Sequence, residues 1–288
     1  MMPSGTMAQQ IALRYWCDQA ASNRVAFHPT CHLEIHEHLA YRELHHLEAA
    51  LLGEPDRLFT LADLQACDPL PAVVLIELPQ REIGGQLPSW EELVELCEWC
   101  RGKGIRTHVD GARIWECTPF YGRTLAEISE LFDSVYASFY KVLNALPGAI
   151  LVGPAPLIGQ AKIWQRRHGG NLQQQSMNAI SAMLALDSRL SRIPAYVDAA
   201  REVAEVLTEF DRITLNPPIP PTNMMHIKLA GDPERLTEAA RQIMQEDRVS
   251  LFLGLRSGRF EFWAGDATLD FTSDEIRSLF EKLFRLAS

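Results

Sequence analysis

"IRTHVDGARIWE", residues 105–116, decides how the chain is to be read. An apolar, strand-like run ends on Asp110, immediately before a glycine. A turn and a helix of crossover length follow, and then "SVYASFYKVLNALPGAILVG" (134–153) gives a second strand, Lys141, a Pro/Gly-bearing turn and a third strand. Successive parallel strands lie side by side or nearly so, with their carboxyl ends on one edge of the sheet. Asp110 and Lys141 are therefore expected at the ends of neighbouring strands, facing one crevice. Taken alone, the pair also fits a capping aspartate and a lysine solvated at a loop mouth.

Outward from this pair, strand-type runs alternate with helical patterns: strand "RVAF", strand "AVVLIEL", helix 89–102, strand "IRTHV", helix 124–132, strand "SVYASF" and strand "GAILVG". Such alternation predicts an α/β domain over 1–190 with a mainly parallel sheet and helices on both faces. Beyond two helical stretches near 176–209 the pattern changes. "TNMMHIKL", a helix over 232–246, "VSLFLGL", "RFEFWAG" and a closing helix over 273–286 predict a smaller α+β domain over 191–288, with the Pro-rich "NPPIPPTN" as a loop.

The crevice has further candidates. Ser4-Gly5-Thr6 opens a helical pattern almost at the first residue, and the free N–H groups of a helix start are the usual cradle for a phosphate. His32 follows "RVAF" by a short loop, which brings an imidazole within range. A phosphate cradle, a strand-end aspartate, a strand-end lysine and an aromatic histidine together are what pyridoxal phosphate requires. The lysine forms the Schiff base, the aspartate keeps the pyridine nitrogen protonated, and the helix start fixes the phosphate.

Composition narrows the alternatives. With 27 Lys and Arg against 37 Asp and Glu, the net charge of −10 argues against nucleic acid and for small-molecule partners. No apolar run approaches the roughly 20 residues of a spanning helix, and no signal-peptide pattern opens the chain, so no membrane role and a cytoplasmic setting are expected. The 6 cysteines read as reduced core thiols, the Cys97/Cys100 pair included, because that pair lies within one helical pattern. The histidines at 28, 32, 36, 38, 45 and 46 are a candidate metal cluster, but without an HExxH no metal is expected.

"HVDGAR" (108–113), "SFYK" (138–141) and "GAILVG" (148–153) resemble the threonine aldolase group of the β-eliminating lyases, fold-type I pyridoxal phosphate enzymes. "PSGTMAQ" (3–9), the region of His32, "WQRRHGG" (164–170) and the segment around Arg259 extend the resemblance over the whole chain. It implies Lys141 as the aldimine lysine, Asp110 as the partner of the pyridine nitrogen, and His32 stacked on the ring. It also implies Gly5, Thr6 and Arg166 or Arg167 on the phosphate, the arginine coming from the same or a neighbouring subunit. Arg113 and Arg259 would hold the substrate carboxylate between the domains. The implied reaction cleaves Cα–Cβ of a β-hydroxy-α-amino acid to glycine and an aldehyde, in a homodimer or homotetramer.

Four departures bear on substrate rather than cofactor. The resemblance implies an N-terminal arm ahead of the Gly-Thr helix, and the sequence as read opens at that helix. Tyr140 stands where relatives carry a serine, and Val142 and Asn144 replace glycines. "ELPQREIGG" (77–85) lacks a Glu-Asn-Thr-His run, with Glu82 at the expected histidine position beside Arg81, and "NLQQQ" (171–175) replaces an expected arginine. The competing readings are another reaction on the same cofactor (β-elimination, racemisation, transamination) and a truncated, non-catalytic homologue.

Overall fold

The computed structural model describes residues 1–288, which divide into two compact units: 1–82 with 86–191, and 83–85 with 192–288. The first holds a six-stranded sheet of β1 (Arg24–Phe27), β2 (Glu48–Leu51), β3 (Val73–Glu77), β4 (Arg106–Gly111), β5 (Ser134–Ser138) and β6 (Ala149–Val152), in the order β2-β1-β3-β4-β5-β6. All pairings are parallel except β5 with β6.

The central strands read as unbroken apolar runs because both faces are covered. Val73, Val74, Leu75 and Ile76 of β3 are all buried. On one side lies the helix Trp90–Lys103, started by a reciprocal Ser89–Glu92 capping box and stopped by Gly104 at φ +72°. Its Leu93, Leu96, Cys97 and Cys100 join Val74, Ile76 and Val109 in one core cluster. The helix Gly5–Ala20 supplies Leu13, Trp16 and Cys17 to a second cluster with Val25, Phe27, Val73 and Leu75.

The second unit carries the antiparallel sheet β7 (Ile213–Asn216), β8 (Met224–Leu229) and β9 (Arg259–Trp263), in that order. Leu215, Met225, Ile227 and Phe260 pack there against the helices Pro233–Asp247 and Ser273–Leu286.

Three local features differ from the sequence reading. "VSLFLGL" forms no strand; its Val249, Leu251, Phe252 and Leu255 pack as an irregular segment against the small core. β2, "EAAL", was missing from the expected strands because it has no β-branched residue; it exists by pairing residue for residue with β1. Lys141 does not end a strand. β5 stops at Ser138, and the chain turns through Ala145 N–H to Phe139 O and Asn144 N–H to Lys141 O, which places the lysine in the turn. Asn144 takes φ +54° there, a left-handed conformation that asparagine tolerates better than most side chains, so the glycine-like backbone survives the replacement.

Candidate active site

One cleft in the first unit is lined by Gly5, Thr6, His32, Asp110, Arg113 and Lys141, together with Gln9, Glu37, Glu77, Arg81, Ala112, Tyr136 and Tyr140. Six residues singled out from the sequence thus meet in one place. Three do not line it. Arg167 ends the helix Ala155–Arg167 with its guanidinium 4.6 Å from the Trp164 ring. Glu82 pairs with His36 at 2.8 Å and with Arg81 at 3.1 Å. Arg259 belongs to the second unit, exposed at the start of β9 and opposite Lys228.

The first helix brings backbone to the cleft. Ser4 caps it by accepting from Met7 N–H at 3.3 Å, and no acidic residue occupies its first turn, so the positive end of the helix is uncancelled. Gly5 is required by close approach, since a Cβ there would overlap the Tyr136 hydroxyl.

Asp110 is held by neutral donors only. Gln9 Nε2 donates to Oδ2 at 2.8 Å, and Ala112 N–H donates to Oδ1 at 3.0 Å. The residue is 2% exposed, and burial raises its pKa even against these hydrogen bonds. Glu77 is its register partner on β3, accepting from Arg81 N–H at 3.1 Å and Gln80 Nε2 at 3.3 Å. Burial, and then the Asp110 charge, push Glu77 up to about 8. Glu37 is buried as well, accepting from Gln10 Nε2 at 3.2 Å and lying 3.0 Å from His32 Nδ1.

A buried carboxylate whose hydrogen-bond donors are all uncharged, as at Asp110, suits a cation that forms part of a ligand. A protonated pyridine nitrogen meets that demand at Asp110, and a helix start without acidic side chains suits a phosphate. The residues therefore fit pyridoxal phosphate, with Lys141 in the same cleft as the amine that would hold it.

The sequence profile of the beta-eliminating lyase family matches residues 1–230. The chain belongs to the beta-eliminating lyase family. Among solved structures, this lyase is similar to a protein of Listeria monocytogenes EGD-E described provisionally as an L-allo-threonine aldolase, at 40% identity and TM-score 0.94 over 99% of this chain and 81% of that one. Threonine aldolase of Leishmania major shares the fold, at 18% identity and TM-score 0.72, covering 100% of this chain and 83% of that one. Low-specificity L-threonine aldolase 1 of Arabidopsis thaliana is 26% identical over 263 residues, 88% of this chain and 73% of that protein. By family and fold the chain is a threonine-aldolase-like lyase of fold type I, a group that works through pyridoxal phosphate.

Four lining residues escaped the sequence reading. Gln9 stands one helical turn after Gly5, and Glu77 is a lone carboxylate closing an apolar strand; both signals were available. Glu37 and Tyr136 had none, because a carboxylate after a histidine-rich stretch and a tyrosine inside a strand are ordinary.

Proposed function

We propose that this lyase binds pyridoxal phosphate in the Asp110–Lys141 cleft and cleaves Cα–Cβ of a β-hydroxy-α-amino acid to glycine and an aldehyde. The observation that carries the reading is the convergence of a helix start, a buried aspartate held by uncharged donors and a lysine in one cleft. When bound, the cofactor supplies an electron sink conjugated to the bond that breaks. Asp110 keeps the ring nitrogen protonated by a charge-assisted hydrogen bond, roughly twice as strong as a neutral one. Gly5 and Thr6 bind the phosphate, and Arg113 holds the substrate carboxylate, a role also assigned to Arg259 on the resemblance alone. Glu82, already paired with His36 and Arg81, shapes the loop rather than taking the β-hydroxyl proton.

The lyase also acts as a homo-oligomer in this reading. The helix Ser176–Arg189 buries only Ala182 and Ala185, leaving Met177, Ile180, Met183 and Leu184 exposed, and such a face is normal only where another surface covers it. Its Ser181 accepts from Leu146 N–H at 3.0 Å, which ties this face to the turn that carries Lys141.

Glycine release from threonine, allo-threonine and phenylserine tests the proposal, with sedimentation run on the same sample. The expected result is release in the ordinary enzyme range, roughly 1–10³ s⁻¹, from at least one bulky β-hydroxy amino acid, with threonine a poorer substrate. Release should change little in Glu82→Ala, and the particle should be larger than one chain. No release from any of the three, with cofactor bound, contradicts the reaction; a fully active monomer contradicts the assembly.

A further inference from the structure

The consecutive residues Gln9 and Gln10 point to different sides of the helix Gly5–Ala20, and each donates its amide to a buried carboxylate: Gln9 to Asp110 at 2.8 Å, Gln10 to Glu37 Oε2 at 3.2 Å. An amide is a neutral donor. It orients a carboxylate without cancelling its charge, as an arginine would. The amide leaves the other carboxylate oxygen of Glu37 for a second contact, in which Oε1 lies 3.0 Å from Nδ1 of His32. The glutamate side chain is 2% exposed and the imidazole 39%, so the pair is shielded on the carboxylate side and open towards the cleft.

The other charged groups around His32 work in both directions. Asp110 on β4 adds negative charge, and Glu77 on β3, pushed up to about 8 by burial, adds its own as it ionises. Arg81, Arg113 and Lys141 line the same cleft with positive charge, and the His36 ring lies 5.1 Å away. Of these groups, Glu37 is the one hydrogen-bonded to the His32 ring.

We propose that Glu37 is a positioning residue that keeps His32 protonated at neutral pH, so that the cleft presents an imidazolium and not a neutral imidazole. The direction of His32's titration agrees: the hydrogen bond to Glu37 is the main cause raising it, followed by the Asp110 charge, against the opposing effect of burial. An imidazolium has two N–H donors and no acceptor. His32 then serves the cleft as a donor to an oxygen or an anion and is excluded as the base at neutral pH. A group whose folded pKa is raised keeps its charge below that value and loses it as pH rises, so the donor is lost on the alkaline side.

The charge assignment stands on the cleft alone, while its kinetic consequence rests on the proposed lyase activity; two measurements separate them. The first is NMR titration of the histidines in the cofactor-free chain. Wild-type His32 is expected to titrate above the ordinary histidine range, and Glu37→Gln to lower its proton affinity by about tenfold or more. Glu37→Asp should restore part of the difference while the other histidines stay unmoved. A wild-type His32 that is neutral at pH 7, or one whose titration ignores Glu37→Gln, overturns the proposal; the wild-type reading decides the matter if the variant does not fold. The second is the pH profile of glycine release, which should fall on the alkaline side through His32's midpoint, with that limb moving to lower pH in Glu37→Gln. A profile that drops in height without moving assigns Glu37 a purely structural role and overturns the kinetic consequence.

Discussion

Asp63 and Glu209 on the surface of this lyase and Asp110 in its cleft are held by opposite means. At the surface, Asp63 takes two bonds from Arg57, at 2.7 and 2.8 Å, which hold its pKa well below the carboxylate range. Glu209 is gripped in the same bidentate way by Arg277, at 2.6 and 2.8 Å. In the cleft, Asp110 and Glu37 receive their amide bonds from glutamines, and Glu77 receives bonds from a backbone N–H and a glutamine. Arginine cancels the charge of Asp63 and Glu209 where solvent would tolerate it anyway, whereas Gln9 orients Asp110 without cancelling its charge, where burial makes that charge costly. The buried carboxylate left uncancelled at Asp110 is where a cation of a ligand would bind.

The largest effect should come from abolishing that contrast at Asp110. Gln9→Lys places a cation where the neutral amide stands, so Asp110 is satisfied before any cofactor arrives. Glycine release should fall by about 10²-fold or more, on the scale of losing a positioned proton. Activity within a few-fold of wild type in Gln9→Lys would show that the neutrality of the donor is irrelevant.

An intermediate effect is expected in the pH dependence of folding without cofactor. Glu77 is raised from 4.5 to about 8, so the folded chain keeps a proton that the unfolded chain gives up above 4.5. Stability assigned to this group therefore falls as pH rises between those values, by at most about 1.4 kcal/mol per unit. Urea midpoints taken from pH 5 to 8 should decline less steeply in Glu77→Gln than in wild type. Parallel curves would mean that Glu77 is ionised in the fold.

The smallest effect belongs to the surface. Arg277→Ala removes the Glu209 contact in full solvent, and both activity and melting temperature should stay close to wild type. A large loss in either would erase the distinction between the two regions.

The outline of the site was legible in the sequence because it depends on chain order. Asp110 ends an apolar run, Lys141 follows the next one, and Gly5-Thr6 opens a helix, so sheet topology alone brings them to one edge. The parts that were not legible depend on side-chain reach across long separations. Gln9 meets Asp110 across 101 residues and Gln10 meets Glu37 across 27; the place of Gln9 on the helix is readable, but no local pattern announces either partner. Glu82 was the expected substrate contact by position in its loop, yet its carboxylate turns to His36, 46 residues away in sequence. The loop itself is divided: 77–82 belongs with the first unit and 83–85 with the second, where a Cβ on Gly84 would run into the Asn216 carbonyl.

The central claim is that Lys141 and Asp110 share one cofactor, and borohydride reduction of the loaded protein followed by peptide mapping tests it most directly. The account predicts a pyridoxyl group on Lys141, in wild type and in Asp110→Ala alike, with the Asp110 variant losing far more turnover than cofactor occupancy. A label on Lys103, Lys162 or Lys228, an unlabelled protein, or an Asp110→Ala variant with full activity would contradict it.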